Sequence, residues 1–171
     1  MDIAVATRPV RPADQALFCR LWERLSPDTV LRRFHAPVRQ LPDESVRRFA
    51  TVDHDLREAV VAVVGGEVVG VARYDRPQAD PSTAEIAVLV EDGWQGVGLG
   101  RQLLGELAGL AAARGVRRLT ATVQPDNTTA LSLVHRLLPG ATVTPDVDVC
   151  TVSAPLAPAT PRPAALVTTP L

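Results

Sequence analysis

The chain of 171 residues contains no lysine, so all 18 of its basic residues are arginine, and its formal net charge is −1. This balance produces no overall positive field, and we expect no nucleic-acid partner. The chain also lacks an apolar run of membrane-spanning length, and its N-terminus has no basic segment followed by an apolar one. We therefore expect no membrane contact and a cytoplasmic location.

Metal ligands and disulfide partners are few. Cys19 and Cys150 are the only cysteines, and they lie outside any C-x-x-C or Cys/His ligand pattern. His35, His54 and His135 are scattered along the chain. We expect two free thiols and no metal site.

The length suits one domain with a sizeable core, because a hydrophobic fraction of 46% supplies enough apolar side chains. From Ser153 onward prolines recur and the only charged side chain is Arg162. Such a composition buries too little apolar surface to offset the entropy of ordering. The sequence therefore predicts a domain over residues 1–153 and a Pro-rich, disordered tail over residues 154–171.

A strand, a glycine-rich turn and a helix follow one another in the middle of the chain. The apolar run Ala84–Val90 carries one acid, Glu85, and predicts a buried strand. Glycines then occupy alternate positions in the turn, and leucines recur at helical spacing. The glycines are Gly96, Gly98 and Gly100, and the leucines are Leu99, Leu103, Leu107 and Leu110.

This arrangement predicts an anion site, because the first N–H groups of a helix have no acceptor within the helix and the helix dipole favours negative charge there. Glycines leave no Cβ between those amides and a bulky anion, so a diphosphate can approach the backbone itself. The spacing matches neither the Rossmann pattern G-x-G-x-x-G nor a Walker loop.

The other elements are predicted from apolar periodicity, caps and turn residues. Asp14 is a plausible cap for a helix that ends near Leu25, and Ser26-Pro27-Asp28 is a standard helix start. Gly65-Gly66 joins two β-branched runs as a hairpin. The predicted strands are Ala4–Val10, Leu56–Val64, Val68–Tyr74, Arg118–Val123, Ala141–Val143 and Val147–Val152, and the further helices are Pro27–Phe34, Asp43–Ala50 and Thr128–Leu138.

The segment Gln95-x-x-Gly98-x-Gly100, after a strand that ends in Val88-Leu89-Val90, resembles the acetyl-CoA signature Q/R-x-x-G-x-G/A of the GNAT acyltransferase superfamily. The resemblance implies an α/β (α+β) GNAT fold, with a mixed central sheet of about six to seven strands flanked by helices. It also implies acetyl-CoA as co-substrate. The residues it assigns to acetyl-CoA are Val88, Leu89 and Val90 along the pantetheine arm, and Gln95, Gly96, Val97, Gly98, Leu99, Gly100 and Arg101 in the signature around the pyrophosphate.

The family also places an Asn at the start of the helix after the next strand, where it contacts the CoA, and Asn127 matches that position. The alternative for Asn127 is a purely structural helix cap. Many members carry a Tyr seven residues later that protonates the leaving thiolate, but Val134 stands there. His135 as a substitute acid and His54 as a groove-lining residue are weaker candidates.

The segment Ala84-Glu85-Ile86-Ala87 matches the A-E-x-A segment in the GNAT domain of bacterial Pat-type protein lysine acetyltransferases, to which the region from Ser26 onward is also similar. The resemblance makes Glu85 the general base. Along a strand Glu85 shares a face with Ala87 and Leu89, so its carboxylate points into a cleft or out to solvent. An acid buried among valines would have a raised pKa, which suits a base. The alternative is a strand acid that pairs with Arg73 or Arg57.

The sequence therefore predicts an acetyl-CoA-dependent N-acetyltransferase that moves an acetyl group directly to a primary amine. A protein lysine is the leading acceptor, and a small amine is the second. The alternative from another class is a GNAT-fold module that binds acyl-CoA as a sensor without turnover. The anion site suits either hypothesis, whereas Glu85 favours turnover.

Overall fold

The computed structural model describes residues 4–159 and contains one mixed sheet of seven strands in the order β1-β2-β3-β4-β5-β7-β6. Strands β4 and β5 are parallel neighbours, and every other neighbouring pair is antiparallel. The predicted mixed sheet is thus confirmed. The strands are β1 Ala6–Pro9, β2 Arg57–Val64, β3 Glu67–Asp75, β4 Thr83–Val90, β5 Arg118–Val123, β6 Thr142–Pro145 and β7 Cys150–Pro155.

Five α-helices cover the two faces of the sheet. Helix α4 packs against β2, β3 and β4 and contacts α5. On the opposite face α1 packs against β3 and α3, while α2 lies against β4. The helices are α1 Gln15–Glu23, α2 Pro27–Phe34, α3 Asp43–Ala50, α4 Leu99–Ala113 and α5 Thr128–Leu137, with short 3-10 turns at Pro12–Asp14 and Asp92–Trp94. None of the helices in residues 4–159 has the length and apolarity needed to cross a bilayer.

The sheet has a hydrophobic core on each face, and successive side chains of β4 point alternately into one core and the other. Ala84 and Ile86 are buried against the α4 side, and Leu89 is buried against the α1–α3 side. Glu85 and Ala87 lie on the same face of β4 as Leu89, so they point toward α1–α3 and not toward α4. The face that carries the predicted base is therefore the face covered by the short N-terminal helices.

Local signals explain where several elements begin. Gly65 and Gly66 adopt φ values of 57° and 85°, which a two-residue hairpin turn requires and which glycine tolerates. Ser26 caps α2 as predicted, since its hydroxyl accepts the N–H of Thr29 at 3.2 Å. Asp14 does not cap α1: its carboxylate is instead held by Arg8.

The last strand extends beyond the predicted domain end. Strand β7 runs to Pro155, Ala154 is fully buried, and the N–H of Leu156 donates to the carbonyl of Arg117 at 2.8 Å. The expectation that no packed element follows Ser153 is therefore wrong for its first residues, because pairing with β5 supplies the burial that composition alone does not. Residues 160–171 of the predicted tail lie outside the described part.

A buried ion pair joins the end of α4 to strand β2. The Glu58 carboxylate is 1% exposed and accepts from Arg114 Nη2 at 2.8 Å, while its other oxygen lies 2.8 Å from His54 Nδ1. The weaker possibility that His54 lines a substrate groove is not realised, since its ring is held at this ion pair on the α4 side of β2. Breaking such a pair leaves an uncompensated buried charge.

Asp14 supplies a stability prediction. Its side chain is 4% exposed and makes two hydrogen bonds of 2.7 Å with Arg8, which lower the pKa of the Asp14 carboxyl. The lowered pKa means that the pair stabilises the fold above about pH 4, the unfolded pKa, and is lost as pH falls through the folded pKa. Asp14→Asn should therefore lower the free energy of unfolding by about 3 kcal/mol at pH 7.

The difference between wild type and Asp14→Asn should shrink as pH falls below about 4, as measured by urea unfolding at each pH. Asp28→Asn is the matched control, because the Asp28 side chain is 69% exposed in its pair with Arg32. That substitution should change the unfolding free energy by less than about 1 kcal/mol. A pH-independent difference for Asp14→Asn would contradict the assignment.

Candidate functional site

A cleft opens where β4 and β5 separate. Their pairing covers only Thr83–Glu85 against Arg118–Thr120, although β4 continues to Val90 and β5 to Val123. The register of β4 with β3 is unbroken from Glu85 to Val90, and the N–H of Glu91 donates to the carbonyl of Val69 in β3. Backbone groups alternate in direction along a strand, so the N–H and C=O of Val88 point away from β3 and into the cleft.

The cleft has a volume of about 1050 Å³ and is bounded by α2 and by the N-terminal ends of α4 and α5. The predicted site residues that line it are Glu85, Val88, Leu89, Val90, Gln95, Gly96, Gly98, Gly100, Arg101 and Asn127. The other two predicted residues have side chains elsewhere. Val97 is 69% exposed, and Leu99 is 4% exposed in the core below the turn, so only their backbone groups face the turn.

The glycine-rich turn presents a row of free amides to this cleft. Within residues 4–159, no backbone N–H from residue 96 to residue 101 donates a hydrogen bond to a protein acceptor. Gly96 and Gly98 reach φ values of 76° and 90°, in the left-handed region, and Gly98 is the N-cap of α4. A Cβ built on either glycine meets no atom within 4 Å, so open space lies in front of this backbone. The turn fits a diphosphate better than a single carboxylate, because it offers several consecutive donors.

A polar cluster ties this turn to α2. The Asp92 carboxylate accepts from the Ser26 N–H at 3.0 Å, the Ser26 hydroxyl at 2.6 Å and the Thr29 hydroxyl at 2.8 Å. Although burial opposes ionisation, these hydrogen bonds together lower the pKa of Asp92. Gln95 completes the cluster, because its Nε2 donates to Thr29 Oγ1 at 3.1 Å and to the Val90 carbonyl at 3.0 Å.

Asn127 is both a cap and a residue of the cleft. Its Oδ1 accepts the N–H of Ala130 at 3.1 Å and so caps α5, while the residue lines the cleft. The cap uses the oxygen alone, and the side-chain NH₂ has no protein acceptor among the described residues. The two roles proposed for Asn127 from the sequence are compatible in this geometry.

Glu85 lies at the inner end of the cleft, and it is exposed. Its carboxylate points into the cleft from the face of β4 that carries Ala87 and Leu89, as strand alternation predicts, and it is not buried among valines. The alternative of an ion pair with Arg73 or Arg57 is not realised, since Arg73 pairs with Asp75 and Arg57 pairs with Asp53. Across the β3–β4 ladder, Glu85 stands opposite Asp75.

Helix α2 adds basic residues to the cleft that the sequence analysis did not identify. Arg32, Arg33 and His35 line it on the side facing Glu85 and the α5 N-terminus. Burial, together with the positive charge of Arg73, lowers the pKa of Arg33 to about 10. Only the pattern R-R-F-H at the end of a short helix signalled these residues, and the pattern alone does not indicate which face points inward.

The remaining candidates lie outside the cleft or in the core. His135 is exposed on α5 and does not line the cleft, and Trp94 packs against the core beside the turn. Val134 is buried at the cleft wall, so no hydroxyl stands at the position of the family's acid. Among residues 4–159, no three His, Cys, Asp or Glu side chains are grouped so as to hold a metal ion.

Comparison with known proteins gives a consistent picture. The model of the acetyltransferase (GNAT) family matches residues 19–138. Acetyltransferase Pat of Mycolicibacterium smegmatis is 33% identical over 132 residues, which cover 76% of this chain and 39% of that protein. Acetyltransferase PA5475 of Pseudomonas aeruginosa is 30% identical over 119 residues, which cover 67% of this chain and 63% of that protein. The chain thus spans less than two thirds of either relative.

A solved structure is similar to this fold. The crystal structure of the GNAT domain of S. lividans PAT superposes with a TM-score of 0.83 and 30% sequence identity, covering 89% of this chain and 90% of that one. The similarity therefore extends over most of both chains.

The left-handed backbone at Gly98 provides a test of the turn. Because φ there is 90°, an alanine is strained, and Gly98→Ala should cost about 1–3 kcal/mol of stability or shift the turn. We expect acetyl-CoA affinity, measured by titration calorimetry, to fall by about tenfold or more. Gly93→Ala is the matched control, since nothing lies within 4 Å of its Cβ and its φ is not left-handed. Equal effects of the two substitutions would refute this role for Gly98.

Proposed function

The chain belongs to the acetyltransferase (GNAT) family, and on that premise we propose that it transfers an acetyl group from acetyl-CoA to a primary amine, with a protein lysine as the leading acceptor. One observation carries the proposal: the free amides of the turn and the exposed carboxylate of Glu85 line the same cleft. The first is a site for the donor, and the second is a group that accepts a proton.

In this proposal the donor is held by backbone groups. The free amides from residue 96 to residue 101 and the dipole of α4 hold the pyrophosphate, and the side-chain NH₂ of Asn127 contacts the CoA. The inward-facing N–H and C=O of Val88 hold the pantetheine arm, with Leu89 and Val90 beside it. Gln95 acts indirectly, because its amide is bonded to the Val90 carbonyl and to Thr29 and so fixes the start of the turn.

The acceptor amine must lose a proton before it can attack. A lysine ε-amine has an unperturbed pKa of about 10.4, so its neutral form costs about 4.6 kcal/mol at pH 7. Glu85 accepts that proton, directly or through a water molecule, as the amine nitrogen bonds to the acetyl carbon and the carbon–sulfur bond breaks. Exposure at the inner end of the cleft gives Glu85 access both to the acceptor and to bulk water, to which the proton finally passes.

Negative charge develops on the carbonyl oxygen during this transfer. The inward-facing N–H of Val88 is the proposed donor to that oxygen, and a backbone donor of fixed direction is effective because it needs no reorganisation. The thiolate of CoA then leaves without a side-chain acid, since Val134 occupies the place of the family's Tyr.

A protein lysine is placed before a small amine as acceptor because Ala84-Glu85-Ile86-Ala87 resembles the A-E-x-A segment of Pat-type protein lysine acetyltransferases, and we propose a cytoplasmic location. A sensor that binds acyl-CoA without turnover is the alternative. The absence of a Tyr at Val134 is compatible with a sensor, but the position of Glu85 within the cleft favours an enzyme.

The test of this proposal is release of free CoA from acetyl-CoA in the presence of acyl-CoA synthetases, lysine peptides and small amines. Glu85→Gln should lower kcat by about 10²- to 10⁴-fold at pH 7. At high pH a larger fraction of the amine is already neutral, so the defect should become smaller. Acetyl-CoA affinity should change little.

Glu23→Gln is the matched control, because Glu23 is an exposed acid on α1 that does not line the cleft. It should retain wild-type rates. Tight acetyl-CoA binding without CoA release on any acceptor would favour the sensor. Equal loss of rate in Glu85→Gln at every pH would rule out Glu85 as the base.

A further inference from the structure

A second, smaller pocket lies beside the cleft, between the sheet and helices α1–α3. Its walls are apolar and largely aromatic, with Phe18, Trp22, Phe34 and Phe49 among them. Only two of its lining residues are charged, and both are arginines. The pocket adjoins the cleft, because Arg33 and Leu89 line both. Its cavity volume is about 30 Å³, which is enough for a small group of a few atoms but not for a whole ligand.

Arg73 is the deeper of the two arginines. Its side chain is 7% exposed, and its guanidinium carbon lies 5.0 Å from the centre of the Phe49 ring. Arg73 Nε and Nη2 donate to the Asp75 carboxylate at 3.3 Å and 3.5 Å, which are long distances for a charged pair. Nη1 is fully buried and has no hydrogen-bond partner within the described part of the chain. A buried donor on a charged group is costly to leave unpaired, so it calls for an acceptor.

Arg33 approaches the same pocket from α2. It makes no ion pair among residues 4–159, whereas the preceding Arg32 pairs with Asp28 and Asp126. Burial, and after it the positive charge of Arg73, lower the pKa of Arg33, while the charges of Asp75 and Glu85 act in the opposite direction. Two guanidinium groups therefore face an apolar pocket, and among residues 4–159 the carboxylate that pairs with either of them is Asp75, at the outer edge of Arg73.

We propose that this pocket binds a carboxylate carried by the amine acceptor, held by Arg73 Nη1 and the guanidinium of Arg33. The inference rests on the proposed function and names the acceptor class for that site. A carboxylate is favoured over a neutral carbonyl because arginine bonds to ionised oxygens are roughly twice as strong, and the apolar walls strengthen them further. A doubly charged phosphate is disfavoured because Asp75 already pairs with Arg73, so the two arginines and this carboxylate together leave an excess of a single positive charge.

The position of the pocket relates it to the reaction. Arg73 stands opposite Ala87 in the β3–β4 ladder, and Asp75 stands opposite Glu85. Arg73 therefore stands two residue pairs along the ladder from the proposed base, on the same face of the sheet. The rest of an acceptor whose carboxylate is held at Arg73 extends from there toward the cleft. Asp75 and Glu85 are the acids that face this region, and their negative charge favours the ammonium end of the acceptor near Glu85 and the carboxylate end at the arginines.

Two sources provide a carboxylate next to an amine. One is the side chain of an Asp or Glu near the acceptor lysine of a protein, and the other is the α-carboxylate of a free amino acid. The chemistry of the pocket is the same for both. Acceptors compared in matched pairs, with a carboxylate in one and the corresponding amide in the other, distinguish the two sources.

The first pair is Nα-acetyl-lysine against Nα-acetyl-lysinamide, and the second is a set of lysine peptides with a single Glu or Gln at each position around the lysine. Wild type should prefer the carboxylate member of at least one pair by about 10- to 100-fold in kcat/KM. A preference confined to the first pair identifies a free amino acid, and one found in peptides identifies an acidic neighbour. Either result supports the pocket.

Arg73→Gln should reduce this preference to about one, and Arg73→Lys should restore it only in part, because lysine retains the charge but not the planar fork. If Arg73→Gln prevents folding, Arg33→Gln gives the same test, because Arg33 is only half-buried. Arg76→Gln is the matched control, since the Arg76 side chain is 8% exposed and bonds to Asp55 and Pro81, outside the pocket. It should keep the wild-type preference even if it lowers stability.

Equal kcat/KM for carboxylate and amide in all pairs would overturn the carboxylate site while leaving the acetyltransferase intact. Lack of turnover on every amine would instead contradict the proposed function. In that case the carboxylate site is tested separately by calorimetry, which measures the affinity of Nα-acetyl-lysine and of Nα-acetyl-lysinamide, each in the presence of CoA. The site is supported if the carboxylate compound binds at least tenfold more tightly and if this difference is lost in Arg33→Gln and Arg73→Gln. Equal affinity for the two compounds refutes it.

Discussion

The separation of β4 from β5 is the constraint on which the site depends. In a continuous parallel sheet the N–H and C=O of Val88 would be satisfied by the neighbouring strand, and no cleft would exist. Pairing ends at Glu85 and Thr120, so the inner groups of β4 are left for a ligand while β3 keeps the strand straight on its other side. The same break leaves Glu85 at the bottom of the opening. One interruption in a hydrogen-bond ladder thus provides both the donor channel and access to the proposed base.

Much of this arrangement could be predicted from the sequence, because it depends on local signals. The hairpin at Gly65-Gly66, the cap at Ser26 and the glycine turn before α4 each reflect neighbouring residues, and the structure has all three where they were expected. The mixed sheet followed from the family resemblance. Burial set by the partner strand was harder to predict: the pairing of Ser153–Pro155 with β5 has no local signature in a Pro-rich segment.

Contacts between segments that are distant in sequence account for most of what could not be predicted. Asp14 looked like a cap because it precedes an apolar helix, but Arg8 lies within reach only after β1 has formed. Strand alternation predicted that Glu85 faces away from the valines of β4, but only the pairing of β3 with β4 shows that Asp75 stands opposite it. His54, a weaker candidate for the groove, is held instead by Glu58 at the start of β2. The approach of Arg33 and Arg73 to one pocket was equally hard to predict, since the two residues come from a helix and a strand that are far apart in sequence.

The cluster of Asp92, Ser26, Thr29 and Gln95 joins the turn that faces the donor to the helix that carries Arg33. A movement of α2 is therefore transmitted to the turn through hydrogen bonds and not only through loose packing. If one ligand favours a particular angle of α2, the other ligand gains or loses affinity by the same factor, because coupling between two binding equilibria is reciprocal. In that case these four side chains link donor and acceptor occupancy thermodynamically, and a weaker cluster would reduce the coupling between the two substrates.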